Sequence, residues 1–170
     1  MPRQIDYRST SPHSADEVYA TIVDPDYLRA RLKQIGGPGA ELLEHTADVE
    51  GARYRLRHGV DAKNMPSMVR HVMPGDHITI ERTEQWTRQD SGNYLGDVQV
   101  AMPGTPAFAA GGMRLRDLPD GGSELNVKAD VTVSLPLIGG KIESMVAGQL
   151  QNLLAEETAF TQQWLAGDPR

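Results

Sequence analysis

Alternating hydrophobic and polar residues predict β-strands through the middle of the chain. In LNVKADVTVSL, residues 125–135, every second residue is apolar, which is typical of a strand with one buried and one solvated face. In residues 52–60, Tyr54 and Leu56 share a face with His58, and three arginines occupy the other face. Turn motifs separate such segments, so we expect sequential strands to pair antiparallel; two of these motifs are Ser91-Gly92-Asn93 and Asp120-Gly121-Gly122.

A spacing of three to four residues between apolar positions predicts helices near the N-terminus. Ser14 and Glu17 have the spacing of a capping box that opens a first short helix. Asp24-Pro25 suits the start of a second, which the glycines of residues 36–39 end. Residues 63–74 contain two prolines and apolar residues at near-helical spacing, which favours a short helix or a turn over a continuous strand.

The segment SLPLIGGKIE, residues 134–143, joins the last strand to a long helix that the apolar spacing predicts to about residue 166. Pro136 cannot donate a ladder hydrogen bond, and Gly139-Gly140 allows a tight turn or a close backbone approach. Free backbone N–H groups here could bind an anion. Because no Lys-Ser/Thr phosphate-binding pattern follows, a plain strand-to-helix corner is the preferred interpretation.

The order of elements predicts an α+β helix-grip fold. We expect a curved antiparallel sheet of about seven strands wrapped around the long C-terminal helix, with two short helices after the first strand. A sheet with one apolar face needs a cover, and only the C-terminal helix is long enough to provide it. Residues 1–170 are predicted to form a single domain of this type, because the length is that of one domain.

Composition narrows the possible functions. The net charge of −6 argues against nucleic-acid binding, which relies on Lys and Arg to neutralise phosphates. The absence of cysteine excludes disulfides and thiolate-bound zinc, and no two histidines have metal-ligand spacing, so neither a metal nor another cofactor is expected. No apolar run approaches the length of a membrane span, and the first residues lack a signal-peptide core. These features predict a cytoplasmic protein that does not insert stably into membranes.

Several segments resemble a known superfamily. They are EQW ending at Trp86, MPGTP at 102–106, DGGSEL at 120–125, VTVSLPLIGGKIE at 131–143, and EETAF with the following WL at 156–165. With the order of elements, they make the chain similar to the START-like, birch-pollen-allergen-like superfamily (SRPBCC, polyketide cyclase-like). Within it, the chain resembles an actinobacterial family known only as a domain of unknown function. The resemblance implies a lipid, polyketide or isoprenoid ligand and supplies no catalytic motif.

The candidate site is the apolar face of the sheet together with the inner face of the terminal helix. His58 could act as a general base or ligand donor, or be a satisfied core histidine. Arg82 and Glu84 could anchor a polar head group, or a bulge near Thr83 could place both in water. The predicted ligand-binding residues are Tyr54, Leu56, His58, Ile78, Ile80, Arg82, Glu84, Trp86, Val98, Val100, Met113, Met145, Gln149 and Asn152.

Three functions fit these residues. The first is binding of an apolar or amphipathic small molecule in a cavity between the sheet and the C-terminal helix. The seven methionines and the small residues at 107–112 suggest incompletely filled space, although methionine also serves as an ordinary core residue. The second is a polyketide cyclase- or dehydratase-like enzyme that uses His58 or the Arg82–Glu84 pair. The third is a protein-interaction module with a filled core, for example a homodimer.

Overall fold

Seven antiparallel strands form one sheet in the order β1-β7-β6-β5-β4-β3-β2. The computed structural model describes residues 3–61, 63, 65, 67–72, 75 and 77–167. Its elements are β1 (Arg3–Ser11), α1 (Ala15–Ile22), α2 (Pro25–Ile35), β2 (Glu41–Ala47), β3 (Gly51–Asp61), α3 (Ser67–Val72), β4 (His77–Asp90), β5 (Asn93–Ala101), β6 (Ala107–Asp117), β7 (Ser123–Val133) and α4 (Gly139–Leu165). The predicted α+β helix-grip fold is confirmed.

The two short helices after β1 begin at the residues that the capping signals indicate. The Ser14 hydroxyl accepts a hydrogen bond from the Glu17 N–H at 3.2 Å, and Asp24 accepts one from the Tyr27 N–H at 3.2 Å. In segment 63–74, α3 provides the short helix. Residues 64, 66, 73 and 74 of that segment, which include both prolines, lie outside the described residues.

The long helix α4 covers the inner face of the sheet. It packs against β1 and β7, and α1 and α2 contact it as well. The inner face of β3 carries Tyr54 and Leu56, both essentially fully buried, whereas Arg55 on the outer face pairs with Glu44 and Glu81. The alternating pattern of the strand therefore separates an apolar inner face from an outer face of paired charges. None of the described helices has a stretch long and apolar enough to cross a membrane.

The junction between β7 and α4 is a tight corner fixed by one buried carboxylate. Leu137 has a left-handed backbone (φ 69°) and an exposed side chain, and α4 begins two residues later at Gly139. Glu143, which is 5% exposed, accepts a hydrogen bond from the Val133 N–H at 2.9 Å. That contact satisfies the last backbone N–H of β7 and ties the first turns of the helix to the end of the strand.

Candidate functional site

A pocket of about 370 Å³, here called the α4 pocket, lies between the sheet and helix α4. The end of β3 and the start of β4 form one wall, where Ile78 and Ile80 point inward from β4. On α4, Val146 and Leu150 provide apolar contacts on the opposite side. The open side of the pocket carries polar residues of α4 that also face solvent, namely Gln149, Asn152 and Glu156.

The loop between α2 and β2 closes one side of the α4 pocket by direct contact of its backbone with β3. The Gly59 N–H donates a hydrogen bond to the Gly36 carbonyl at 2.8 Å. A Cβ atom on Gly59 would overlap the Pro38 carbonyl, and one on Gly37 would overlap the Gly59 carbonyl. Gly37 also has a φ of 79°. Glycine is therefore required on both sides of this contact, and the contact places residues 36–38 in the pocket wall beside His58.

His58 is the buried polar side chain in the wall of the α4 pocket. It is 3% exposed, and neither ring nitrogen has a hydrogen-bond partner among the described residues. Burial, and secondarily the positive charge of Arg82, lowers the pKa of the imidazole to about 3. At neutral pH the ring is therefore uncharged, with one nitrogen that donates a hydrogen bond and one that accepts.

Two arginines and two glutamates form a buried ion-pair cluster on the inner side of the sheet. Arg82 donates to both carboxylate oxygens of Glu157, at 3.0 Å and 2.9 Å, and its Nε lies 2.7 Å from Glu84 Oε2. The Nε contact is close but is not aligned as a hydrogen bond. The Arg31 guanidinium lies 3.5 Å from Glu157 Oε2, the oxygen that also accepts a hydrogen bond from Arg82. The two positive and two negative charges balance within the cluster.

Aromatic side chains extend this cluster along the sheet. The Tyr54 hydroxyl donates to Glu84 Oε1 at 2.5 Å, and the Trp86 indole N–H donates to the Tyr54 oxygen at 3.2 Å. Burial alone would raise the pKa of Glu157, but Arg31 and Arg82 lower it to about 2. Burial, followed by the charge of Glu84, raises the pKa of Tyr54 well above its usual value. The carboxylate of Glu157 therefore stays ionised and the phenol of Tyr54 stays protonated at neutral pH.

The predicted site residues fall into three groups. His58, Ile78, Ile80, Gln149 and Asn152 line the α4 pocket. A separate space of only about 40 Å³, here called the sheet void, is lined by Arg82, Glu84, Val98, Val100 and Met113. Tyr54, Leu56, Trp86 and Met145 line neither space: the first three are buried in the core, and Met145 is half-buried against it.

Sequence reasoning left open whether Arg82 and Glu84 face water. The β3–β4 register runs without a shift through Leu56↔Arg82 and Tyr54↔Glu84, and both charged side chains are buried. Their position on the same face as Ile80 and Trp86 therefore places them inside the fold. The bulge near Thr83 that would have turned them outward is absent from this described stretch of β4.

Two residues of the ion-pair cluster were not among the site residues predicted from the sequence. Glu157 follows Leu150 and Leu153 on the inward stripe of α4 at helical spacing, and Arg31 lies between Leu28 and Leu32 on the buried face of α2. Each of these two charged residues interrupts the apolar face of a helix, and the two charges are opposite in sign. That combination was the signal in the sequence that could have identified them as a buried ion pair.

Comparison with known proteins identifies a family. The profile of the family described as "Protein of unknown function (DUF2505)" matches residues 6–165. "Uncharacterized protein Rv0481c" of Mycobacterium tuberculosis (strain ATCC 25618 / H37Rv) is 27% identical over 181 residues, covering 99% of each chain. These matches extend over nearly all of the strands and helices described above.

Solved structures share the architecture at low sequence identity. TTHA0849 from Thermus thermophilus superposes with a TM-score of 0.60 at 18% identity, covering 99% of this chain and 100% of that one. A START superfamily protein from Mycobacterium smegmatis gives a TM-score of 0.55 at 13% identity, covering 95% and 98%. The chain therefore has the START-like helix-grip fold, and it belongs to the family of proteins of unknown function DUF2505.

Proposed function

We propose that this protein binds a compact, mostly apolar small molecule in the α4 pocket. The observation that carries the proposal is the pocket itself, whose volume of about 370 Å³ lies near the low end of the range for small-molecule sites. Its walls are mainly aliphatic, with few polar groups, as such sites usually are. A lipid, polyketide or isoprenoid type of ligand, which the START-like resemblance implies, is compatible with these walls.

The electrostatics favour binding over catalysis. A general base works best when its pKa lies near the operating pH, and the pKa of His58 is lowered to about 3 by burial and by Arg82. Arg82 is occupied by Glu157 and Glu84, and Glu84 also accepts the Tyr54 hydroxyl. The groups that a cyclase-like mechanism would use are thus either weakly basic or already paired.

The surface favours a ligand-binding role over an interaction module. The large exposed apolar residues within the described part of the chain are Val49, Leu95, Phe108 and Leu137. Val49 lies on the β2–β3 turn and Leu137 at the β7–α4 corner. Leu95 and Phe108 lie on the paired strands β5 and β6 but near opposite ends of them, opposite Arg114 and Ala101 respectively, so they do not adjoin. A docking surface is normally one contiguous apolar patch of several hundred Å².

Thermal unfolding with a ligand panel tests the proposal. The panel contains fatty alcohols, fatty acids, isoprenoid alcohols and fused aromatic compounds. At about 100 times its dissociation constant, a ligand stabilises the native state by roughly 2.7 kcal/mol, which raises Tm by about 5–10 °C in a domain of this size. Native mass spectrometry of protein purified from its own host provides an independent readout. The absence of both a thermal shift and a retained adduct would contradict the proposal.

A further inference from the structure

Two leucines of α4 separate the α4 pocket from the sheet void. Among the described residues, Leu150 and Leu153 are the two that line both spaces. They are three positions apart, so their side chains are neighbours on one face of the helix. Leu150 is buried in the hydrophobic core, and Leu153 is half-buried. The two spaces therefore adjoin each other, with this pair of side chains, here called the leucine partition, between them.

The order of the two spaces along α4 and along β4 supports this arrangement. On the inward face of α4, Val146 lines only the α4 pocket, Leu150 lines both spaces, and Leu154 lines only the sheet void. These residues follow one another at intervals of four positions, or about 6 Å along the helix. On β4, Ile80 lines the pocket and Arg82, two residues later on the same face, lines the void. Two strand residues span about 7 Å, so both walls change from pocket to void over roughly the width of one side chain.

The polarity of the walls indicates how a ligand would lie in the α4 pocket. Gln149 and Asn152 lie at its open side and also face solvent. The opposite end is the aliphatic leucine partition. Beyond the partition, the charged residues that line the sheet void, Arg82 and Glu84, are already paired within the ion-pair cluster. A polar group of the ligand is therefore best placed at the open side, where water can solvate it, and the apolar end then meets the partition.

We infer that the leucine partition sets the length of the ligand: it stops the apolar end of the bound molecule and excludes longer members of the same chemical class. This inference rests on the proposed function, because it requires a ligand in the α4 pocket. The sheet void of about 40 Å³ is too small to hold such a ligand by itself, but it would extend the pocket if a side chain of the partition were shortened. Leu150 and Leu153 are then the residues that determine specificity for length.

Calorimetric titration with straight-chain primary alcohols, from 1-hexanol to 1-dodecanol, tests the inference. These probes have the same polar group and differ only in the number of methylene groups. In the wild-type protein the affinity should rise about fourfold with each methylene group that the walls bury. The rise should stop at the chain length whose end reaches the partition, here called the limiting chain length.

Shortening the partition should increase the limiting chain length. Leu153→Ala removes three carbon atoms from the partition, so we expect an increase of about three carbon atoms. The first alcohol beyond the wild-type limit should then bind about fourfold more tightly to the variant than to the wild type. Leu153→Val removes only one carbon atom and should increase the limit by about one. This milder variant still provides the test if Leu153→Ala does not fold.

Two other leucines of α4 provide matched comparisons. Leu154→Ala is the same truncation one residue later, but Leu154 borders the sheet void and not the α4 pocket. It enlarges the void behind an intact partition, so the limiting chain length should remain that of the wild type. Leu165→Ala is the control for truncation of α4 in general, because Leu165 is a half-buried leucine that lines neither space. It should also leave the limit unchanged. Circular dichroism verifies that each variant is folded.

The outcomes distinguish this inference from the proposed function. The same limiting chain length in the wild type and in both variants of Leu153 would overturn the inference and leave ligand binding intact. An equal increase in Leu154→Ala or Leu165→Ala, or an affinity that rises through 1-dodecanol in the wild type, would do the same. If none of the alcohols binds to any of these proteins, the inference is also overturned. The isoprenoid and aromatic compounds of the ligand panel would then decide alone whether the protein binds small molecules.

Discussion

His58 and Arg82 lie on the inner faces of adjacent strands, yet their ionisation differs because their partners differ. Burial disfavours the charged form of both side chains. Arg82 contacts Glu157 and Glu84, which together outweigh burial and raise its pKa above the usual value. His58 contacts no carboxylate among the described residues, and Arg82 lowers its pKa further. The interior therefore keeps one cation paired and one imidazole neutral within a short distance of each other.

The lowered pKa of His58 predicts how folding stability depends on pH. In the unfolded chain this histidine takes up a proton near pH 6.5, but in the folded protein it does so only near pH 3. Between these values the unfolded state binds more protons, so stability falls as pH falls, by up to about 1.4 kcal/mol per pH unit. Urea unfolding of wild type and His58→Leu from pH 7 to pH 4 measures this loss as a difference between the two proteins.

The subtraction is needed because carboxylates elsewhere also titrate in this range. As the pH decreases, we expect the free energy of unfolding to fall more in the wild type than in His58→Leu. Histidine nuclear magnetic resonance spectra should also show a His58 ring that stays unprotonated at pH 5. Parallel pH profiles for the two proteins, or a ring that becomes protonated near pH 6.5, would show that His58 is solvated or paired in solution.

Glu157 is the carboxylate on which both buried arginines depend. Glu157→Gln removes the negative charge but keeps the shape, which leaves Arg31 and Arg82 with Glu84 as their remaining buried counterion in the cluster. Breaking a buried pair by removing one partner typically costs about 3–5 kcal/mol, and we expect a loss of this size in urea unfolding. Glu156→Gln, one residue earlier and exposed, should change stability by less than about 0.5 kcal/mol. Equal, small effects of the two substitutions would mean that the cluster is open to water.

At the scale of elements, the two glycines that begin α4 have opposite surroundings. A Cβ on Gly139 would lie 2.6 Å from the Val133 carbonyl, whereas a Cβ on Gly140 meets nothing within 4 Å. Gly139→Ala should therefore destabilise the protein, because the corner between β7 and α4 must open. Gly140→Ala should stabilise it by up to about 1 kcal/mol, since alanine is the better helix former. Thermal and urea unfolding of the pair would measure this, and equal effects would contradict the corner geometry.

The strands and helices could be predicted because the sequence patterns that indicate them lie within a few neighbouring residues. The strict alternation at 125–135 and the capping residues Ser14 and Asp24 correctly indicated a strand and two helix starts. The wall formed by residues 36–38 was not predictable, because it depends on backbone contact with Gly59, more than twenty residues away. In the sequence, those glycines signal only the end of a helix. A close approach between distant glycines leaves no periodic pattern.

At the scale of the whole molecule, unfilled space lies at a different place from the one the small residues of β6 suggested. Ala109 and Ala110 border only the sheet void of about 40 Å³. The space beside Gly111 is occupied by the backbone of β7 at Lys128 and Ala129, and leucines of α4 cover the rest. The larger α4 pocket forms where the sheet, α4 and the α2–β2 loop meet. Side-chain size along one strand did not predict it, because three separate elements form its walls.

This uneven distribution of space predicts that the same substitution has opposite effects in two regions. Val146, on α4, borders the α4 pocket, and Val98, on β5, borders the sheet void; both are almost fully buried. In Val146→Phe the added ring can enter the pocket, so stability should stay constant or rise by about 1 kcal/mol. In Val98→Phe the void is too small, and overpacking should cost about 1–3 kcal/mol.

Ligand binding should be lost in the stable variant, Val146→Phe, and retained in the destabilised variant, Val98→Phe. Val146→Phe fills the proposed site, so the thermal shift produced by a panel ligand should disappear although the protein is stable. Val98→Phe should be less stable but keep the shift, because its ring is directed toward the sheet void. The test is to measure the free energy of unfolding in urea and the ligand-induced change in Tm for both variants. A shift that survives in Val146→Phe and is lost in Val98→Phe would move the binding site from the α4 pocket to the centre of the sheet.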